Sequence, residues 1–255
     1  MRGLKSVAQT GTIRGAYGSS THFWDTSSMS YLRKAFAEGL GTFFLCFAGI
    51  SAILCNTKDV GGNIGLLGIA FAHGLALSIG VAVTGGISGG HLNPAVTLGM
   101  LFTGRIRILS AIGYIIAQCA GATVAAVLCN RVFPPEVVTN AYLGLPLPAK
   151  AWVTDNTILL YEGVMTFLLV TAVFATAVDE RGKAVKFGAL AIGLTVCFDI
   201  LAGGPITGAS MNPARSFGPA LVLQDFNRHW CYWVGPAIGG ISAGLVYQFF
   251  LLKED

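Results

Sequence analysis

The sequence predicts an all-α membrane protein with six transmembrane helices and two half-helices, arranged as an inverted repeat of three spans plus one half-helix. Three observations carry this. Hydrophobic residues make up 54% of the 255 positions and charged ones 11%, with a mean hydropathy of +0.68, far from the roughly 25% charge of soluble domains. Six apolar stretches, at about 31–55, 65–84, 107–130, 156–178, 186–204 and 229–251, are long enough to cross a bilayer. Finally, a short segment occurs twice, as Gly89-Gly90-His91-Leu92-Asn93-Pro94-Ala95-Val96 and as Gly208-Ala209-Ser210-Met211-Asn212-Pro213-Ala214-Arg215.

Residues 1–30 are polar, rich in Ser, Thr and Gly, and basic through Arg2, Lys5 and Arg14. No apolar core comes after these positives, which argues against a secretory signal. The stretch reads as a cytosolic tail, although its Arg/Ser bias faintly resembles a mitochondrial presequence. With both termini inside, Arg33, Lys34, Arg105, Arg107, Arg181, Lys183, Lys186 and Lys253 join the tail's cations on the inner side. They outnumber Lys58, Arg131, Lys150, Arg215 and Arg228 outside, which favours cytosolic termini.

The first span carries Glu38-Gly39-Leu40-Gly41-Thr42 and the fourth Glu162-Gly163-Val164-Met165-Thr166, so the halves repeat. Residues 31–131 form the first repeat, 132–154 a linker on the outer side, and 155–255 the second repeat. Three spans per half is an odd number, so the second copy enters the membrane upside down, and a site at the midplane belongs to that plan. The first motif then lies on the cytosolic side and the second on the outer side.

In each motif Asn precedes Pro. Asn favours the N-cap of a helix, and Pro suits the first turn, where its missing N–H costs nothing. The run after each motif is apolar but brief, Val96–Phe102 and Arg215–Leu223. About nine residues rise roughly 13 Å, less than half of a core about 30 Å thick, so each is a half-helix. The approaches Gly85–Gly90 and Ala202–Pro205 read as irregular backbone, which is tolerated at membrane depth only where it is buried in protein or lines a wet cavity. The pattern implies a pore.

Glu38 and Glu162 are intramembrane carboxylates, and function is the default hypothesis for such groups. Their matched positions suit structural braces holding the loops, with Gln118 as a third polar brace and a proton relay as the alternative. The six cysteines show no CxxC or Cys/His spacing and read as buried thiols. The pairs Gly235/Gly239 and Gly240/Gly244 read as close helix packing, within or between protomers. The cations are scattered through loops, which excludes nucleic acid as a partner. No nucleophile-base pair or metal spacing appears, so no catalytic residue, metal or cofactor is expected.

Two Asn-Pro-Ala motifs, the paired Glu-x-x-x-Thr and the run Asn212-Pro213-Ala214-Arg215-Ser216-Phe217-Gly218-Pro219-Ala220 resemble the aquaporin (major intrinsic protein) family over essentially 31–251. Ala72-His73-Gly74-Leu75-Ala76-Leu77, Asp199–Pro205 and His229–Pro236 are similar to the aquaporin-8 and plant tonoplast-intrinsic branch. The resemblance implies a homotetramer in a lipid bilayer, with one pore per protomer, that passes water and small neutral solutes. It implies pore-midplane donors at Asn93 and Asn212 and a selectivity filter of His73, Ile200, Ala209 and Arg215. Apolar Ile200 and small Ala209 imply a wide ring that also passes ammonia, with urea and hydrogen peroxide as further candidates. His73 protonation offers a route to pH-sensitive flux. Ser216 stands where glycerol channels of the family usually carry Asp, so a glycerol-type channel is the alternative, and an ion-coupled secondary transporter is another. His91, near the cytosolic vestibule, is assigned to loop hydrogen bonding or gating. Asp199 is assigned to bracing of the outer loop or of Arg215, with a vestibule or gating role as the alternative. The plasma membrane is the first expectation, with vacuolar or mitochondrial membranes as alternatives.

Overall fold

The computed structural model describes residues 26–148, 150–184 and 186–252. The tail expected over 1–30 lies mostly outside the described residues, as does Lys253. The long helices are α1 (Thr26–Cys55), α2 (Gly65–Ser88), α4 (Ile108–Val132), α6 (Asp155–Val173), α8 (Gly188–Thr207) and α10 (Cys231–Val246), with the short α3 (Pro94–Phe102) and α9 (Pro213–Leu223) between them. Two further short helices, α5 (Pro135–Asn140) and α7 (Glu180–Lys183), sit in the connections. Single π-helical stretches, Phe174–Val178 and Tyr247–Leu251, extend α6 and α10. Six helices are long and apolar enough to span a membrane.

The two halves pack alike. α1 lies on α4 as α6 lies on α10, α2 and α8 cross each other at the centre, and each half-helix docks on a helix of the opposite half, α9 on α4 and α3 on α10. Backbones touch at the equivalent crossings: a β-carbon on Gly121 would collide with the Gly39 carbonyl, and one on Gly239 with the Gly163 carbonyl. Gly240 and Gly244 approach the Ala95 and Gly99 carbonyls of α3 in the same way. The glycine pairs of α10 therefore serve packing inside the protomer, the van der Waals mode of membrane helix association. Phe36, Leu67, Ile79, Leu109, Ile116 and Phe250 are among the large apolar side chains left exposed; on a chain of this hydropathy they face lipid.

One local expectation is corrected. The Gly-rich approaches are helical: α2 runs through Gly85 and Gly86 to Ser88, and α8 contains Gly203, Gly204 and Pro205 and ends at Thr207. Tertiary packing overrides weak helix propensity here, as Gly203 lies against Met165 and Gly204 against Leu66. The stop signals are Gly89 and Gly208, which adopt left-handed φ of 98° and 86° and donate their N–H groups to Gly85 O and Gly204 O. Irregular backbone is thereby confined to about five residues before each half-helix.

Candidate functional site

Those two loops carry the site. In the first, Gly90 and Leu92 have φ of 62° and 52°; in the second, Ala209 and Met211 have 44° and 53°. A left-handed residue other than glycine costs about 1–2 kcal/mol, so Leu92, Ala209 and Met211 must be held in place.

Glu38 and Glu162, both fully buried, supply the hold. Glu38 Oε1 accepts from Ser88 Oγ and His91 N (3.0 Å), and its Oε2 from Leu92 N (2.7 Å) and Gln118 Nε2 (2.8 Å). Glu162 Oε1 accepts from Thr207 Oγ1 (2.7 Å) and Ser210 N (3.0 Å), and its Oε2 from Met211 N (2.7 Å). Thr42 and Thr166 donate back to the carbonyls of Glu38 and Glu162, while Tyr114 and Tyr232 donate to the carbonyls of Ser88 and Thr207. Charge-assisted bonds of this kind contribute about 1.5–3 kcal/mol each, enough to offset the strained backbone. Ser88, Thr207 and Tyr114 were not singled out from the sequence, and Tyr232, whose motif His229–Pro236 suggests an interfacial aromatic belt, is instead buried. Aligning Ser88–Asn93 with Thr207–Asn212, and Tyr114–Gln118 with Tyr232–Pro236, would have found them. Pro236 stands opposite Gln118, which is why Glu162 has three partners and Glu38 four.

The braces aim the two asparagines at each other. Asn93 Oδ1 accepts from Ala95 N, and Asn212 Oδ1 from Ala214 N and Arg215 N, so each caps its own half-helix. Asn93 Nδ2 donates to Met211 O at 2.8 Å, and Asn212 Nδ2 donates to Leu92 O at 2.9 Å. This reciprocal link joins the halves and uses one of the two hydrogens on each amide. The other remains as a donor, so half the capacity expected from the sequence is committed to structure.

A central cavity is lined by His73, His91, Asn93, Ile200, Ala209, Asn212 and Arg215 on apolar walls that include Leu45, Leu77, Val96 and Val196. A vestibule on the linker side meets it: His73, Ile200 and Arg215 line both spaces and form the neck between them. Ala141–Leu147 of the linker, apart from Leu143, wall the vestibule, and Pro146 presses on Gly208; no pattern in the linker signals that it reaches the second motif. His73 Nδ1 donates to Ile69 O (2.8 Å), which leaves the Nε2 lone pair facing Arg215 Nη2 at 3.5 Å. Arg215 Nη1 is buried and has no partner among the described residues.

Glu38, Glu162 and Gln118 stand behind the loops. Gln118 Nε2 also donates to Thr97 Oγ1, which donates to Asn93 O and pairs with His91 Nδ1 (3.1 Å). His91 thus touches both the cavity and the brace. Asp199 lines neither cavity. It is buried on the α6 side of α8 beside Tyr161, Met165 and Leu168, and its Oδ2 has no partner among the described residues.

Where α6 and α10 end, Asp179 N-caps α7, binds the Arg181 guanidinium and accepts from Tyr247 Oη, while Arg181 also donates to Leu251 O. Hydrogen bonding to Arg181 holds the Asp179 carboxyl well below the usual carboxylate range. This cluster joins the π-helical ends of α6 and α10.

The arrangement is an apolar-walled cavity with two inward half-helix N-termini, each bearing about half a positive charge, and a buried guanidinium where it meets the vestibule. A family model described as Major intrinsic protein matches residues 25–247. Aquaporin TIP2-1 of Zea mays is 44% identical over 240 residues, covering 92% of this chain and 92% of its own length. Aquaporin TIP2-1 of Arabidopsis thaliana is 42% identical over 237 residues, 91% of each chain. In three dimensions the chain is similar to the X-ray structure of the aquaglyceroporin from Plasmodium falciparum, with a TM-score of 0.77 and 22% identity over 87% of this chain and 97% of that one. At that identity the likeness is one of fold.

Proposed function

The chain belongs to the major intrinsic protein (aquaporin) family, and from that premise we propose that it is a passive channel for water and ammonia that excludes protons and ions. The observation that carries the reading is the reciprocal Asn93/Asn212 link between two half-helix N-termini, on the same path as Arg215. Positive ends meeting near the midplane repel cations. A water oxygen that accepts from both remaining amide hydrogens is turned away from relaying a proton along the file. Asn93 and Asn212 are the midplane donors in this account. His73, Ile200, Ala209 and Arg215 are the filter, and Glu38, Glu162 and Gln118 are the braces.

Ammonia as a second permeant is supported by the apolar Ile200 and the small Ala209 beside the polar edge of His73 and Arg215. The same width brings urea and hydrogen peroxide within range. A homotetramer is assigned by resemblance to the family. The chain is a multi-pass membrane protein. Its relatives carry the TIP designation, that of the tonoplast-intrinsic group, which favours a vacuole-type internal membrane over the plasma membrane put first from sequence.

The test is stopped-flow on proteoliposomes, comparing osmotic shrinkage with the internal pH change driven by ammonia, for wild type and Ile200→His. Both fluxes should exceed those of protein-free vesicles. The imidazole should cut ammonia flux by about tenfold relative to water, the scale on which a snug site discriminates small changes of shape. Ammonia flux no faster than through empty vesicles, or a ratio unmoved by Ile200→His, would remove ammonia from the account.

A further inference from the structure

Gly49 sits inside α1, fewer than two turns from its C-terminal end, where glycine is a poorer helix former than alanine, so its presence calls for a packing reason. It is buried. A β-carbon there would lie 2.5 Å from His73 Cδ2, 2.7 Å from Cε1, and closer still to Nε2, against an ordinary contact of 3.4–4 Å. All three nearest atoms belong to the one imidazole. The other α1 glycines differ: Gly39 makes room for the backbone of Ala117, and Gly41 for the Leu92 side chain.

The ring has little freedom to yield. Nδ1 is tethered to Ile69 O one turn back on α2, and the residue is 3% exposed. On its remaining side lies the space shared by the central cavity and the vestibule. We infer that Gly49 is a specificity-determining positioning residue: its missing side chain is the slot that keeps His73 back against α1, clear of the lumen, with Nε2 turned to Arg215. The slot sets two properties together, the free width of the neck and the only hydrogen-bond partner that the Arg215 side chain has among the described residues. One methyl group at 49 breaks the tether, drives the imidazole into the neck and releases Nη2 of Arg215.

The inference rests on the filter reading above, and its test is a double-substitution cycle. Wild type, Gly49→Ala, His73→Ala and the double variant are compared in proteoliposomes for osmotic water flux per channel, and in detergent for thermal stability. Gly49→Ala should lower water flux by about tenfold. With the ring gone there is nothing for the methyl group to strike, so the double variant should match His73→Ala in flux and be at least as stable, because alanine is the better helix former. If Gly49→Ala fails to fold, recovery of fold and flux in the double variant supports the inference equally. A double variant as impaired as Gly49→Ala alone, or Gly49→Ala flux equal to wild type, overturns it. A simple helix-packing role for Gly49 would not be rescued by removing one imidazole. Absence of water flux in wild type would instead sink the channel reading, while the stability cycle would still report on the slot.

Discussion

Replacing Glu162 by Gln exposes how the strained second loop is held. Every contact on its two carboxylate oxygens is a donor: Thr207 Oγ1 and Ser210 N on one, Met211 N on the other. An amide turned either way sets its NH₂ against a backbone N–H, so either Ser210 or Met211 loses its acceptor. An orphaned buried donor costs about 1–3 kcal/mol, and the remaining bonds each weaken by about 1 kcal/mol when the acceptor loses its charge. Relaxation of Met211 from its left-handed φ returns about 1–2 kcal/mol, leaving a net loss of about 2–3 kcal/mol. The effect is local to a decisive place, because Met211 O is also the acceptor for Asn93 Nδ2. Hydrogen exchange at the Met211 amide should therefore accelerate by about 30- to 150-fold, with a fall in water flux. Thr207→Val removes the hydroxyl donor to Glu162 and the acceptor of Ala209 N but leaves both backbone bonds to Glu162, so protection of the Met211 amide should stay close to wild type. Unchanged protection at Met211 in Glu162→Gln, or a larger effect from Thr207→Val, would refute the bracing argument.

The same geometry sets three further outcomes. A cation passing about 8 Å from Arg215 meets about 2 kcal/mol of repulsion at an effective dielectric of about 20, so Arg215→Val should raise proton leak in proteoliposomes by about thirtyfold while water flux persists. Ala209→Gly relieves a φ of 44°; it should stabilise the solubilised protein by about 1 kcal/mol and widen the central cavity that Ala209 lines, seen as faster urea flux. Asp179 is held below the ordinary carboxylate range by Arg181, so its contribution to stability is present above the unfolded value of about 3.9 and is lost as pH falls through the depressed folded value. The thermal midpoint should carry that acid-side decline in wild type, and Asp179→Asn should start lower at neutral pH and lack it.

Much of the site was legible because its chemistry is local. An Asn-Pro pair specifies a helix start wherever it occurs, and the caps at Asn93 and Asn212, the short reach of α3 and α9, and the paired carboxylates can all be read from residues within a few positions of one another. The duplicated segments then supplied the inverted plan. Relations across the fold were beyond the reach of sequence. The reciprocal Asn93–Met211 and Asn212–Leu92 bonds join residues from opposite halves. Gly49 reads as one more membrane-helix glycine until the His73 ring is seen against it. Asp199, adjacent to Ile200 in the chain, points to the other side of α8 because neighbouring helical residues diverge by about 100°. The glycine-rich run before the first motif misled for a related reason: low helix propensity is decided by packing, and within Gly85–Gly90 only Gly89 and Gly90 take the left-handed conformation.

The claim on which the rest depends is that one path past Asn93, Asn212 and Arg215 carries uncharged molecules and no charge. Simultaneous measurement of osmotic water flux and ionic current in vesicles reconstituted with the wild-type chain tests it most directly. The account predicts water flux that grows with protein density while the current stays at the level of protein-free bilayers. Current that rises in step with water flux, or water flux no greater than through lipid alone, would contradict it.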